Sequence, residues 1–194
     1  MDILNKIITA DTRREIIKYF VLNLDKKVHL RKISRIIDKQ VNAVSRELYN
    51  LVSIGFLKDQ ANGRKKLFYI NKDFLLIDEF TKIVHKTWGL GKMVVQNRKS
   101  IGNIDIAIIT ENFVSNKHKS QYDVDLLLVG EIQVPVTSHL IKEVEIELNR
   151  EIKYTVMSKE EFDFRRKKRD IFIENILAGD VVILTGKELL DSLP

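Results

Sequence analysis

Two aspartates stand two residues apart in the segment QYDVDLLLVG, which covers residues 121–130. Residues i and i+2 of a β-strand point to the same face, so Asp123 and Asp125 would project together if a strand began at Asp123. Two carboxylates in this arrangement could bind a divalent metal ion such as Mg²⁺. The alternative is that both are strand-end carboxylates that accept hydrogen bonds from loop amides.

A second set of candidate residues lies on segment 41–54. Its apolar residues Val41, Val44 and Leu48 recur at helical spacing and are expected to face a core. The opposite face then presents side chains that suit base edges and phosphates in the major groove of DNA, and three cations follow at the tip of a predicted hairpin. The candidate DNA-binding residues are Gln40, Asn42, Ala43, Ser45, Arg46, Tyr49, Arg64, Lys65 and Lys66.

The elements that position these DNA-binding candidates are predicted from periodicity and turn signals. Amphipathic helices are expected over about residues 12–24, 30–37, 41–54 and 74–88. Gly55 is placed to end the third helix. Residues 56–59 and 66–70 have the pattern of strands, and Asn62-Gly63 between them is a strong hairpin signal. The helix over residues 74–88 is apolar enough either to pack on its own domain or to form a dimer interface.

The C-terminal half alternates strands with helices, which predicts a small mixed sheet covered by helices. Strands are expected over residues 104–109, 123–129, 151–157 and 181–184, and helices over 138–149 and 159–178. The glycines of Gly89-Leu90-Gly91 suggest a domain boundary. We therefore expect a first domain over residues 1–88, a linker over 89–102 and a second domain over 103–194.

Composition and charge narrow the classes of function. The 194-residue chain is 44% apolar and has no cysteine, which excludes disulfides and thiolate metal sites and fits a cytoplasmic protein. No apolar run approaches the roughly 18 residues of a membrane span, so no membrane partner is expected. Residues 1–90 contain 18 Lys/Arg and 10 Asp/Glu, whereas residues 91–194 contain 15 and 17. This asymmetry suggests that the N-terminal half meets a polyanion.

The run LRKISRIIDKQVNAVSRELYNLVSIGFLKDQANGRKKLFYIN resembles the winged helix-turn-helix domains of small prokaryotic repressors of the ArsR-like kind. The resemblance covers roughly residues 10–72. It implies that the third helix enters the major groove of double-stranded DNA and that the hairpin, or wing, contacts the flank. It also implies a homodimer, because paired half-sites suit such domains.

The segment Tyr122–Val129 is similar to the S-D-[IV]-D-L-L-V motif of minimal nucleotidyltransferase domains. In that family a G-S-x-A-x-G motif lies upstream, and the corresponding positions here are 111–116, with sequence ENFVSN. Glu111 replaces a glycine and puts an anion where a triphosphate would bind. The strand over residues 151–157 also lacks the third carboxylate of the family. The resemblance therefore implies a nucleotidyltransferase-like domain that has lost catalysis.

Together these patterns predict an α+β protein in which a winged helix-turn-helix domain precedes a small mixed α/β nucleotidyltransferase-like domain. The expected function is that of a DNA-binding transcriptional regulator without a cofactor. The alternative is a magnesium-dependent, antitoxin-like nucleotidyltransferase that uses Asp123 and Asp125, and the question of enzyme activity stays open. A third possibility is that the second domain responds to a nucleotide or protein effector.

Overall fold

The computed structural model describes residues 6, 8–115 and 123–191. The protein is mixed α+β with two small sheets, which confirms the predicted class. It divides into two compact units, Met1–Val84 and His85–Pro194. In the described residues no helix combines the length and the apolar character that crossing a membrane requires.

The described part of the first unit contains three complete helices and a three-stranded antiparallel sheet of order β1-β3-β2. Its elements are α1 Asp11–Val21, β1 Val28–His29, α2 Leu30–Ile36, α3 Val41–Ser53, β2 Leu57–Asn62 and β3 Lys65–Ile70. Each helix buries one apolar face, and Phe20, Ile33 and Leu48 are fully buried in a shared core. The predicted positions of all three helices are confirmed to within a few residues.

Val41 is a correction to the predicted core of the first unit. We expected its side chain to face inward, but it is 40% exposed, whereas Val44 and Leu48 are fully buried. Val41 is the first residue of α3, so the preceding residues offer no further helical turn to cover it. The apolar face of α3 therefore begins one turn later than the spacing predicts.

The hairpin between β2 and β3 is confirmed, with its turn one residue further along than the Asn62-Gly63 signal suggests. Asn62 pairs with Lys65, so the two turn residues are Gly63 and Arg64. Gly63 has φ +59°, a backbone conformation that favours glycine at the first position of such a turn. Arg64 and Lys65 are consequently placed at the tip of the hairpin.

The second unit is built around a four-stranded sheet of order β6-β5-β4-β7. Helix α4 Ile77–Thr87 crosses the boundary between the units. The following elements are α5 Gly89–Gln96, α6 Arg98–Ile101, β4 Gly102–Ile109, α7 Glu111–Ser115, β5 Leu126–Ile132, α8 Val134–Leu148, β6 Tyr154–Met157, α9 Lys159–Lys167, α10 Ile171–Leu177, β7 Val182–Thr185 and α11 Lys187–Asp191. Strands β5 and β6 are parallel, and β4 is antiparallel to both of its neighbours.

Helices cover both faces of this sheet. Leu126 and Leu128 of β5 belong to one apolar cluster, and Leu127 and Val129 belong to another. All four side chains are fully buried. The uninterrupted apolar run LLLV is the pattern expected of a strand that is buried on both faces.

Residues 89–102 form α5, α6 and the first residue of β4, rather than the expected linker. Leu90 and Ile101 are fully buried in the core of the second unit. Gly91 has a packing role instead, because a Cβ atom there would lie 2.0 Å from the carbonyl oxygen of His85, and Gly89 adopts a left-handed backbone with φ +53°. Close backbone approach is an alternative cause of paired glycines that the sequence pattern does not distinguish from a boundary.

The single helix expected over residues 159–178 is divided into α9 and α10. Arg169 has a left-handed backbone with φ +53°, which ends the first helix. The carboxylate of Asp170 then caps the second helix by accepting hydrogen bonds from the amides of Phe172 and Ile173. Ser158 caps the start of α9, because its hydroxyl accepts a hydrogen bond from the Glu161 amide.

Candidate functional site

The candidate residues of α3 lie on the face opposite its buried stripe. Asn42, Arg46 and Tyr49 are exposed, and Ala43 and Ser45 are half-buried. Gln40 is exposed at the N-cap position, where its carbonyl oxygen accepts from the amide of Val44. This face of α3 therefore combines amide, hydroxyl, methyl, guanidinium and phenol groups along one side of the helix.

Among the described residues, the guanidinium of Arg46 forms an ion pair only through its Nε atom. Its Nε lies 3.6 Å from one carboxylate oxygen of Glu47, while Arg13 Nε donates to the other oxygen at 2.8 Å. Burial raises the pKa of Glu47, but the hydrogen bond and charge of Arg13, together with Asn50 and Arg46, lower it by more, so the net pKa lies below its ordinary value. Glu47 thus remains ionised between two arginines, and the Arg46 side chain is 73% exposed.

Tyr49 and Lys66 join α3 to the start of β3. The Tyr49 ring packs edge-to-face on Phe68 at a centroid distance of 5.7 Å, and Lys66 Nζ lies 5.3 Å from the Tyr49 ring centre. Lys66 also pairs with the Asp59 carboxylate at 2.5 Å, and this hydrogen bond raises the pKa of Lys66. Lys66 is therefore already engaged within the unit.

Arg64 and Lys65, by contrast, are exposed at the turn and at the first residue of β3. Within the described part of the chain neither side chain has an ion pair. They are the two wing cations that are available to a partner.

Helix α2 adds basic residues that sequence reasoning missed. Arg31, Lys32 and Arg35 are exposed on the side of α2 that faces away from buried Ile33. In the sequence, these three cations already occupy the polar positions of a short predicted helix. Residues 28–66 contain nine Lys/Arg and three Asp/Glu, and two of those acids, Glu47 and Asp59, are paired with cations. The surface of this segment is consequently positive.

Asp123 and Asp125 do not share the face of a strand, because β5 begins only at Leu126. Asp125 is fully buried. One of its carboxylate oxygens accepts from Arg150 at 2.9 Å, and the other accepts from the Lys153 amide at 2.9 Å. The alternative that a strand-end carboxylate bonds a backbone amide is therefore confirmed for Asp125. Asp123 is half-buried and lines a cavity of about 430 Å³ with Asn112, Val124, Arg165, Ile171, Phe172, Asn175 and Ile176.

The guanidinium of Arg150 also donates to the carbonyl oxygen of Phe113 at 2.9 Å and lies 4.4 Å from the centre of the Phe113 ring. Burial lowers the pKa of Arg150, and the charge and hydrogen bond of Asp125 oppose that effect. Residues 111–115, where the resemblance placed a phosphate-binding loop, form helix α7, and residue 116 lies outside the described residues. In the described ranges no group of three or more His, Cys, Asp or Glu side chains could bind a metal ion.

His85 is a buried titratable group that the sequence pattern gave no reason to notice. It is 3% exposed, its ring meets the edge of Phe113 at 5.7 Å, and its Nε2 atom has no hydrogen-bond partner among the described residues. Burial, followed by the charge of Arg150, lowers the pKa of His85 to about 4. The imidazole is therefore neutral near pH 7.

The sequence matches no protein-family model, and the searches of curated proteins and of solved structures likewise give no match. The functional argument consequently depends on the geometry of these two sites.

Proposed function

We propose that the first unit is a winged helix-turn-helix domain that binds double-stranded DNA, and that the protein is a transcriptional regulator. The observation that carries this proposal is the exposed polar face of α3 in the same compact unit as a basic hairpin tip. An α-helix fits the major groove of DNA, and its outward side chains reach the base edges there.

The side chains divide into two roles. Arg46 is 73% exposed and suits a bidentate contact with guanine, while exposed Asn42 suits adenine. Arg64 and Lys65 suit phosphate contacts, which place the domain without reading sequence. Lys66 has a supporting role, because it is paired with Asp59 beside Tyr49.

The proposed assembly is a homodimer, so that two copies of α3 meet two half-sites of the operator. In the second unit we propose a nucleotidyltransferase-like domain without catalysis that responds to a nucleotide or protein effector. Support for the loss of catalysis comes from Asp125, both of whose carboxylate oxygens accept hydrogen bonds from the protein itself. A magnesium-dependent enzyme would need Arg150 to leave this carboxylate.

Fluorescence anisotropy of the full chain on a random-sequence duplex, recorded across a salt series, tests the DNA-binding proposal. Each neutralised phosphate contributes about −0.9 to the slope of log K against log salt concentration. Five phosphate contacts in one copy, from Arg31, Lys32 and Arg35 of α2 and from Arg64 and Lys65 of the wing, predict a slope of about −4.5 or steeper. Weak binding that does not depend on salt would overturn the proposal.

A further inference from the structure

The corner between α9 and α10 carries five consecutive cations, which the DNA-binding proposal for the first unit does not use. Two of them are engaged within the second unit. Arg165 pairs with Glu161 at 2.7 Å and lies 3.7 Å from Asp170, and Arg166 donates to the carbonyl oxygen of Leu190 at 2.9 Å. These two arginines therefore stabilise the corner itself.

The other three cations, Lys167, Lys168 and Arg169, are exposed. No ion pair is found for any of them among the residues that the structure describes. Their charges are left uncompensated in a half of the chain where acids outnumber bases, 17 to 15 over residues 91–194. The positive charge is thus concentrated locally rather than spread over the unit.

The backbone at Arg169 gives a second and independent observation. Its φ of +53° lies in the left-handed region, which glycine adopts without strain and which side chains with a Cβ atom disfavour. Glycine is the usual residue after a helix end of this kind. The arginine here places a cation at the corner, at a position where glycine would be less strained.

An exposed aromatic ring adjoins the cations. Phe164 is 63% exposed, and Lys168 Nζ lies 5.9 Å from its ring centre. Ile171, on the other side of the corner, is 76% exposed. Cations mixed with an exposed aromatic side chain suit a nucleic-acid surface, where the cations meet phosphates and the ring meets sugar or base.

We propose that Lys167, Lys168 and Arg169 form a second contact with DNA phosphates. The inference depends on the proposed function of the first unit, which would bring DNA to the same chain. A tethered second contact then acts at high effective concentration, so a few exposed cations suffice. An acidic protein would also complement the charge of these cations. DNA is preferred because the proposed function of the first unit already brings DNA to the same chain.

The test compares two triple variants of the full chain by anisotropy on a random-sequence duplex across a salt series. The corner variant is Lys167→Ala with Lys168→Ala and Arg169→Gly. The control variant, Lys99→Ala with Lys142→Ala and Lys187→Ala, removes three exposed lysines that are scattered over the same unit. Both variants change the net charge equally, so a difference between them reports the position of the cations.

We expect the corner variant to reduce the magnitude of the salt slope by about 2.7, which corresponds to three phosphate contacts, and the control to leave it near the wild-type value. Equal slopes for the two variants would overturn the second contact and favour an acidic protein as the occupant of the corner. Failure of the wild-type chain to bind DNA would overturn the proposed function of the first unit instead.

Arg169→Gly alone separates binding from folding. Glycine removes the strain at φ +53°, so we expect the melting temperature to rise. The magnitude of the salt slope should decrease by about one. A rise in melting temperature with an unchanged slope would mean that Arg169 does not contact DNA and would overturn its part in the proposal.

Discussion

Arg150 donates a hydrogen bond to the buried carboxylate of Asp125 at 2.9 Å and, through a second nitrogen, to the carbonyl oxygen of Phe113 at 2.9 Å. One guanidinium therefore connects α7, the residues before β5 and the residues after α8. Lys153 completes the arrangement by donating its amide to the other oxygen of Asp125. The aspartate motif that suggests a metal site in the sequence has an internal cation as its counter-ion.

Arg150→Ala is expected to destabilise the second unit strongly. The substitution leaves Asp125 fully buried without its cation, and breaking a buried pair in this way costs about 3–5 kcal/mol. Urea unfolding followed by the fluorescence of Trp88, the single tryptophan, measures the loss because Trp88 belongs to the second unit. The matched control is Arg165→Ala, whose partner Glu161 is 46% exposed and whose loss should cost about 1 kcal/mol or less. Similar losses in the two variants would contradict a special role for the buried pair.

Magnesium is expected to leave the stability of the wild-type protein unchanged. A ligand present at 100 times its dissociation constant stabilises a folded protein by about 2.7 kcal/mol, which thermal melting detects readily. Because Arg150 and the Lys153 amide occupy both oxygens of Asp125, we predict no shift in melting temperature with added MgCl₂. The prediction fails if magnesium raises the melting temperature of the wild type and the Asp123→Asn variant abolishes the rise.

Arg46→Ala is expected to reduce sequence discrimination. The lost contact with a base edge should cost about 1–3 kcal/mol on a duplex enriched by selection and much less on random DNA. Lys65→Ala should instead weaken binding to both duplexes and reduce the salt slope by about one. Anisotropy titrations on the two duplexes measure both quantities. An equal loss on selected and random DNA for Arg46→Ala would contradict the assignment of α3 to base contacts.

The Lys66→Ala variant tests whether Lys66 contributes less to DNA binding than its neighbours. In the sequence alone, Arg64, Lys65 and Lys66 look equivalent. Lys66 is paired with Asp59 at 2.5 Å, so its removal should change the salt slope less than Lys65→Ala does. Anisotropy on random DNA compares the two variants directly. If Lys66→Ala produces the larger change in slope, the pair with Asp59 opens when DNA binds.

Local signals in the sequence predicted local structure well. The hairpin and Gly55 after α3 both depend on neighbouring residues, and the structure contains each of them. The sequence pattern is least informative where distant residues determine the local structure. Gly91 resembles a boundary residue until the close backbone of His85 is known, and Asp125 resembles a metal ligand until Arg150, 25 positions away, is placed beside it.

The candidate DNA-binding face could be predicted because it follows from the helical spacing of Val44 and Leu48 alone. The difference between Lys65 and Lys66 could not be predicted, because it depends on the pairing of β2 with β3, which brings Asp59 to Lys66. The buried position of His85 could not be predicted either, because it depends on a contact with Phe113, which lies far along the chain.

His85 is expected to make the second unit less stable as the pH falls from about 6.5 to about 4. The ordinary pKa of histidine is near 6.5, whereas the folded protein lowers the pKa of His85 to about 4. Above pH 6.5 the imidazole is neutral in both states. Between the two values the unfolded chain binds a proton that the folded unit excludes, so the free energy of unfolding decreases, by about 2 kcal/mol between pH 7.5 and pH 5.0.

His85→Leu tests this contribution, because leucine keeps an apolar side chain beside Phe113 and cannot bind the proton. Urea unfolding at pH 7.5 and pH 5.0 should give the variant a pH dependence about 2 kcal/mol smaller than that of the wild type. The control is His139→Gln, which removes an exposed imidazole from the same unit and leaves His85 in place. The same pH dependence in His85→Leu and the wild type would contradict the prediction, because it would mean that the folded unit binds the proton on His85 as readily as the unfolded chain does.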